Sequence, residues 1–589
     1  MLRLLSTLFL LVLPIIARGS STAPPNVILV ITDDQGYGDL SCHGNPILET
    51  PNLDALHAES VRLTNFHVSP TCTPTRGALM SGHCSNRAGT WHTIMGRSMI
   101  LPGETTLGEA FYAGGYATGM FGKWHLGDNY PFRPEDRGFQ EVVRHGGGGI
   151  GQTPDSWNNA YFDDTYFHNG KQEKYDGYCT DVFFTEAKRF IQEQHKAGKP
   201  FFAYISTNAP HGPFHCPEKY TAAYKDKVKR PAEAIFFGMI ANIDENVGAL
   251  RTWLAEAGLS ENTIFIFMTD NGTATGERIY GAGMRGKKGS QYEGGHRVPC
   301  FIHWPAGGVS QAVDVEQLTA HVDLLPTLQE LCNLPGKEGY FYEGQSLVPL
   351  LRDHTTEWPD RVIITDSQRV LHPIKWRQSS TMSQRWRLID GKELYEIELD
   401  PNQKNDVAQQ YPEVVRKLRG DYEKWWESLQ PTFKKDARIV VGNPAENPTR
   451  LTAHDWLIDE GDVPWNQSFI RAGKQNVGHW ALHVEEAGKY QISLRRWPAS
   501  IAHPIASSLP AGEPSPGLAA YRETKGKALE IGHAKLQLGD HFQQQNLGAG
   551  ADEVRFEASL EAGPIDLTGV FILDDGTEVG AYYVDVERL

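Results

Sequence analysis

The stretch Ser69 to His83, SPTCTPTRGALMSGH, carries one cysteine, Cys72, in a segment dense in Thr and Pro, with Arg76 four residues later. By itself Cys72 could be a disulfide partner, a metal ligand, a nucleophile or none of these. Two acidic pairs stand elsewhere in the chain, Asp33-Asp34 and Asp270-Asn271, each directly after an apolar run. Adjacent carboxylates repel each other unless a cation sits between them. A set made only of oxygen donors suits Ca²⁺, or Mg²⁺ as second choice, and not zinc. Arg76, Lys123 and Lys288, with His125 and His211, supply positive charge. Arg offers a planar fork of donors and Lys a point charge, and both match a tetrahedral oxyanion. Either acidic pair alone reads as a turn. A single Lys reads as a solvated side chain and a single His as a structural one. Taken together, these residues read as a metal centre facing an oxyanion.

The elements that position them follow from the apolar patterns. Val27 to Ile31 is a β-branched run of the kind buried on both faces of a parallel sheet, and it ends in Asp33-Asp34. Ile264 to Met268 leads into Asp270-Asn271, KPFFAYISTNAPH ends at His211, and YATGMFGKWHLG ends in Lys123 and His125. Between them lie helical patterns. One spans Asp181 to Lys196, with Val182, Ala187, Phe190 and Ile191 in phase and Gly198 as its stop; the other spans Pro231 to Gly258. Strands alternating with helices predict an α/β domain with a mostly parallel sheet, whose ligands sit beyond the carboxyl ends of the strands. All four polar clusters fall there.

Further along, RWRLIDGKELYEIELDP reads as a hairpin turning at Asp390-Gly391, followed by a helix from Pro412 to Leu429. The last 150 or so residues alternate with period two, as in Trp480, Leu482, Val484 and Tyr490, Ile492, Leu494, which predicts a β-sandwich. Trp480 and Trp497 read as core residues. The expected division is a signal peptide at 1–23, an α/β domain at 24–359, a small α+β subdomain at 360–435, a linker at 436–450 and a β-sandwich domain at 451–589.

Length and composition bound the function. The chain has 589 residues, 40% hydrophobic and 22% charged, with a formal net charge of −16. That balance excludes the basic footprint of a nucleic-acid binder. MLRLLSTLFLLVLPIIARGSSTA has the basic start, apolar run and small-residue end of a secretory signal, so the protein is expected to be exported, periplasmic or extracellular, with no stable membrane span. Seven cysteines, none in a C-x-x-C pair, argue against a zinc ribbon.

These residues carry a resemblance. CTPTRGALMSGH resembles the C-x-P-x-R signature of type I, formylglycine-dependent sulfatases, of the alkaline phosphatase-like superfamily, and GKWHLG resembles the second signature of that family. NVILVITDDQGYGDLSCHG, TPNLDAL, NAPHGPF, TDNG and RGKKGSQYEGGHRVP occur in the family's order, over about residues 25 to 430. The resemblance implies an alkaline phosphatase-like sheet sandwiched by helices, with the C-terminal β domain as an accessory. It implies that Cys72 is oxidised to Cα-formylglycine by a formylglycine-generating enzyme, and that its hydrate is the nucleophile. The other six cysteines would then all pair or all be free. Asp33, Asp34, Asp270 and Asn271 would hold Ca²⁺ together with residue 72. Arg76 would hold the hydrate, Lys123 and Lys288 would bind sulfate oxygens, His211 would protonate the leaving alcohol and His125 would take the proton that releases sulfate. Lys288, not Lys287, matches the motif. The implied substrate is a sulfated carbohydrate or another sulfate ester. A phosphate or phosphonate ester hydrolase and an inactive sulfated-glycan-binding protein are the two other readings. The rim of the pocket is expected near Trp91-His92, His145 to Gly151, His215 and Arg278.

Overall fold

The computed structural model describes residues 23–589. The signal segment expected at 1–23 lies, except for its last residue, outside them. Ten strands form the main sheet: β1 (Asn26–Thr32), β2 (Val61–Leu63), β3 (Ala117–Gly122), β4 (Glu141–Arg144), β5 (Thr165–His168), β6 (Lys171–Lys174), β7 (Phe201–Ser206), β8 (Thr263–Thr269), β9 (Cys300–His303) and β10 (Val313–Val315). Their spatial order is β10-β2-β9-β8-β1-β7-β3-β4-β5-β6. The five central strands from β8 to β4 are parallel, and antiparallel strands flank them on both sides.

The continuous apolar runs exist because both faces of this sheet are covered. Along β1, Val27, Leu29 and Ile31 enter one core, while Ile28 and Val30 enter the other. β8 divides in the same way, with Ile264, Ile266 and Met268 on the first side and Phe265 and Phe267 on the second. Each such side chain contributes roughly 1.5–3 kcal/mol by leaving water. Helix α1 (Cys72–Ser81) follows the cysteine. Helix α2 (Cys179–Ala197) buries Val182, Ala187, Phe190 and Ile191 against the second core and stops at Gly198, whose φ of 66° a Cβ would oppose. Helix α3 (Pro231–Glu256) adds Met239, Ile243, Val247, Leu250 and Leu254 to that core.

A second, antiparallel sheet runs through β11 (Ile363–Asp366), β12 (Ser379–Met382), β13 (Trp386–Ile389) and β14 (Glu393–Glu396). Helix α4 (Pro412–Leu429) packs Leu418 against Leu388 and Leu394 of this sheet.

Two further sheets, of six and four strands, enclose a third core around Trp456, Trp480 and Trp497. The segment 436–450, expected to be a linker, is part of this sandwich. Ile439–Val441 pairs in parallel with Trp480–Val484, and Thr449–Thr452 pairs with the C-terminal strand Tyr583–Arg588. The β-branched run Ile439-Val440-Val441 is the physical reason. This core does not stop at the sandwich. Met95, Met99, Leu101 and Phe132, from loops of the α/β unit, belong to it. Among the described residues no helix is long and apolar enough to cross a membrane, and all seven cysteines are unpaired.

Candidate functional site

Thr32 and Thr269 are register partners on β1 and β8, so Asp33-Asp34 and Asp270-Asn271 leave adjacent strands side by side. On the other flank, Gly122 of β3 pairs with Ser206 of β7, and the chain continues into Lys123 and His125 from one strand and towards His211 from the other. Four neighbouring parallel strands therefore deliver every polar cluster to one edge of the sheet.

The four acidic and amide side chains are fully or almost fully buried. The Asp34 N–H donates to Asp270 Oδ1 at 3.1 Å, and Asn271 Nδ2 donates to Asp34 Oδ1 at 2.9 Å. Two oxygens, Asp33 Oδ1 and Asn271 Oδ1, are buried without a partner. An orphaned buried acceptor costs about 1–3 kcal/mol each, more when charged. Oxygens of Asp33 and Asp270 and the Cys72 sulfur lie within 4.8 Å of one another. Burial and the neighbouring Asp33 push the Asp270 carboxyl up to about 7 against the pull of Arg76 and Lys123. An oxygen-only donor set with two unsatisfied acceptors fits a hard divalent cation, Ca²⁺ or Mg²⁺. Asp34 has φ 69°, a left-handed conformation that is uncommon outside glycine and that Asp tolerates better than most residues.

Each carboxylate is matched by one cation. Lys123 Nζ lies 2.5 Å from Asp33 Oδ2, Lys288 Nζ 2.6 Å from Asp34 Oδ1, and Arg76 Nη2 2.8 Å from Asp270 Oδ2. Arg76 is fully buried and also donates to Ser206 Oγ and to Tyr204 Oη. Lys287 points elsewhere and pairs with Glu277 at 2.9 Å. Burial alone would lower the pKa of both Lys288 and Arg76, but Asp34 holds Lys288 above the usual lysine range and Asp270 does the same for Arg76. Burial would raise Asp34, but Lys288, His211 and Asn271 hold it well below the carboxylate range. Three acids against three cations leave the pocket formally neutral, so a bound divalent cation would turn it into a trap for an oxyanion.

Cys72 is the first residue of α1 and is buried. Helix N–H groups and the positive end of the helix dipole therefore surround it. Arg76 follows on the same helix face one turn later. Burial pushes the Cys72 thiol up, more than Lys123 and Lys288 bring it down, so the thiol is a poor nucleophile as it stands. Neighbouring Thr71 has a buried hydroxyl without a partner.

The histidines are oriented by their second nitrogens. His211 Nδ1–H donates to the Gly212 carbonyl at 2.6 Å, and Nε2 faces Asp34 Oδ2 at 3.9 Å. His125 Nε2–H donates to the Thr93 carbonyl at 2.8 Å, leaving Nδ1 buried with a free lone pair. Burial and Lys288 bring His211 down to about 3, and burial and Lys123 bring His125 well below the usual range. Both rings are neutral at pH 7. The loop at 146–151 touches them. A Cβ on Gly148 would fall 2.1 Å from the His125 ring, and one on Gly149 would come within 3.5 Å of His211 Nδ1.

Cys72, His125, His211 and Lys288 open into one cavity of about 450 Å³. Of the expected rim, His92 lines it. Trp91 is buried beside it and donates its Nε1–H to the Val370 carbonyl at 3.2 Å. His215 is buried against the Tyr161 ring, and Arg278 is an exposed partner of Glu277, so neither reaches the cavity. The sequence reading missed Arg369 and Leu371 of the second sheet's unit and Ile458, Asp462 and Trp465 of the β domain, all of which line it. No local pattern singles them out, because they arrive from segments far away in sequence.

The family model described as Sulfatase matches residues 25–334. Human arylsulfatase A is 31% identical over 370 residues, covering 57% of this chain and 69% of that protein. The N-acetylgalactosamine-6-sulfatase of Rattus norvegicus is 30% identical over 368 residues, covering 57% and 67%. The crystal structure of Ps i-CgsB in complex with k-i-k-neocarrahexaose is similar with TM-score 0.63 and 27% identity, covering 68% of this chain and 93% of that one. All ten expected site residues fall inside the matched range. The β domain falls outside it.

Proposed function

The chain belongs to the sulfatase family, in the alkaline phosphatase-like superfamily, and is a sulfuric ester hydrolase; from that premise we propose that it is an exported enzyme that removes sulfate from a carbohydrate, with Cys72 converted to Cα-formylglycine and Ca²⁺ held by Asp33, Asp34, Asp270 and Asn271. The observation that carries this reading is the pair of unsatisfied oxygens, Asp33 Oδ1 and Asn271 Oδ1, in a cluster whose Asp33 and Asp270 carboxylates lie within 4.8 Å of a buried cysteine sulfur at a helix N-terminus, with three cations paired to the acids. Ca²⁺, once bound, supplies Lewis acidity and a fixed oxygen geometry. The aldehyde hydrate of a converted residue 72 supplies two hydroxyls, one to attack sulfur and one whose later deprotonation expels the sulfate.

The chain's own residues do the rest. Lys123 and Lys288 hold sulfate oxygens and match the charge that grows during transfer, in a pocket where low polarity strengthens each contact. Arg76 fixes Asp270 and the helix that carries residue 72. His211 presents Nε2 to the leaving oxygen. Arrival of the anionic ester raises its pKa from about 3, which allows the ring to carry the proton it must deliver. His125 presents the free lone pair on Nδ1 and accepts the proton that releases sulfate. The residue set supports both proton steps without a further group.

Sulfated carbohydrate is supported by two relatives. One is named for N-acetylgalactosamine 6-sulfate, and the other was crystallised with a neocarrahexaose. Export is supported by the N-terminal pattern.

The test is the mass of the peptide containing residue 72, from protein co-produced with a formylglycine-generating enzyme, measured beside sulfate-ester turnover. The expected result is a residue lighter than cysteine that forms a hydrazone and is lost together with activity in Cys72→Ala. Turnover by protein with an intact thiol would overturn the nucleophile.

A further inference from the structure

The cavity above Cys72 is completed by a part of the chain that the family match does not reach. Its outer wall is the loop Ile458 to Trp465 of the β domain. That loop is held at both ends. Leu457 and His479 exchange backbone hydrogen bonds at 2.8 and 3.2 Å. Thr153 of the α/β unit donates its N–H to the Trp465 carbonyl at 3.0 Å and its hydroxyl to the Pro464 carbonyl at 2.5 Å. The buried Gln467 side chain donates to the carbonyls of Gln152, Asp155 and Ser156 at 3.2–3.4 Å and accepts from Asn158 N–H at 2.9 Å. The wall is therefore fixed to the same glycine-rich loop that touches His125 and His211.

Trp465 differs from the other tryptophans of its domain. Trp456, Trp480 and Trp497 are buried in the core, whereas Trp465 is half-buried and lines the cavity. Its ring is held edge-on by Phe469, 5.8 Å away, and by Tyr521, 5.9 Å away. Tyr521 is near enough to Lys288 for the ammonium to bias its phenol. A fixed, half-exposed indole beside a cationic floor offers an apolar face to a ring whose sulfate points down to the cations. Asp459 and Asp462, on the same wall, are exposed carboxylates, loosely paired with His372 at 3.7 Å and Lys474 at 3.5 Å, whose remaining acceptor sites suit hydroxyl donors. Apolar ring faces ringed by hydroxyls are the surface of a sugar.

We propose that Trp465 is the platform for the sugar ring that bears the scissile sulfate, and that Asp459 and Asp462 read its free hydroxyls. The β domain is then the specificity element of the enzyme. This rests on the reading that the substrate is a sulfated carbohydrate. The test compares wild type, Trp465→Ala and Trp465→Phe on 2-O-, 4-O- and 6-O-sulfated hexoses, N-acetylhexosamines and their disaccharides, with 4-nitrophenyl sulfate as a substrate without a sugar. Inhibition by inorganic sulfate reads the cationic floor alone. The expected result is a KM for the preferred saccharide at least 10-fold higher in Trp465→Ala, partly restored in Trp465→Phe, with the inhibition constant of inorganic sulfate within 3-fold of wild type. An unchanged saccharide KM overturns the platform and leaves the carbohydrate reading standing. So does an equal loss of affinity for inorganic sulfate, which marks a structural role. Wild-type turnover of 4-nitrophenyl sulfate with none of any saccharide overturns the carbohydrate reading itself.

Discussion

Replacing Gly148 by alanine puts one methyl group into the place of the His125 ring. The added Cβ would lie 2.1 Å from His125 Cε1, 2.3 Å from Nε2 and 2.7 Å from Nδ1. Carbon atoms in contact prefer about 3.5–4.0 Å, so the ring has to retreat by more than 1 Å. Its freedom to do so is small. Nε2 is tied to the Thr93 carbonyl at 2.8 Å, the His125 carbonyl accepts from Thr73 Oγ1 at 3.2 Å, and the residue already sits at φ 60°. Forcing a methyl into a packed site costs roughly 1–3 kcal/mol of stability. Moving a reacting group by 1 Å costs about 100-fold in rate, which is roughly 2.7 kcal/mol of activation free energy. If His125 takes the proton that releases sulfate, kcat on an aryl sulfate should fall about 100-fold in Gly148→Ala. A first-turnover burst of the alcohol should persist, and inhibition by inorganic sulfate should change little. Gly149→Ala is the internal control. Its Cβ would meet the flexible Gln152 side chain at 3.2 Å and His211 only at 3.5 Å, so its kcat should stay within about 3-fold by the same contact argument. Full activity in Gly148→Ala, or equal losses at both glycines, would refute the argument.

Asn271→Ala removes one of the two orphaned oxygens without stripping a buried cation of its partner. Calorimetry should report Ca²⁺ affinity at least 10-fold weaker, about 1.4 kcal/mol, and unchanged affinity would remove Asn271 from the metal site. Chelator treatment of the wild type should abolish turnover, and Ca²⁺ should restore it better than Mg²⁺. His321, buried beside the second sheet's unit with Nδ1–H donating to the His67 carbonyl at 3.1 Å, is brought down to about 3 by burial. Its folded pKa lies below the unfolded value of about 6.5, so its contribution is present above pH 6.5 and lost as pH falls towards 3. In urea titrations, the stability of the wild type relative to His321→Gln should therefore fall by about 2 kcal/mol between pH 7 and pH 5. A pH-independent difference would mean that the ring takes up its proton as readily in the folded protein as in the unfolded chain.

The strands and their polar ends were legible because one constraint writes them. A strand covered on both faces must be apolar throughout, so the first charged residue after the run marks where the chain leaves the sheet. Asp33, Lys123 and Asp270 each mark such an exit, and the parallel register then brings the exits together. Of the two adjacent lysines, Lys288 meets Asp34 and Lys287 meets Glu277. What stayed illegible depends on contacts between distant segments. Trp465 stands before Asn466, Gln467 and Ser468, outside any alternating run like that of Trp480, Leu482 and Val484, and only the three-dimensional packing brings it to the cavity. His215 and Arg278 were expected at the rim for their chemistry alone, but one packs on Tyr161 and the other turns to Glu277. The segment 436–450 contains the residues of a linker, Pro, Asn and Gly, together with three β-branched residues that pair with a strand some forty positions away.

Cys72 is buried once the protein is folded, and a strand far along the chain, Tyr583–Arg588, braces the wall of the cavity above it: Tyr583 Oη donates to the Thr153 carbonyl at 3.2 Å, and Thr153 anchors Trp465. About 510 residues separate Cys72 from that strand. At synthesis rates of roughly 5–20 residues per second, the interval is on the order of half a minute to two minutes. The architecture thus sets a clock. On the proposed conversion of Cys72, a maturing enzyme that needs the residue exposed has the interval between synthesis of Cys72 and synthesis of Tyr583.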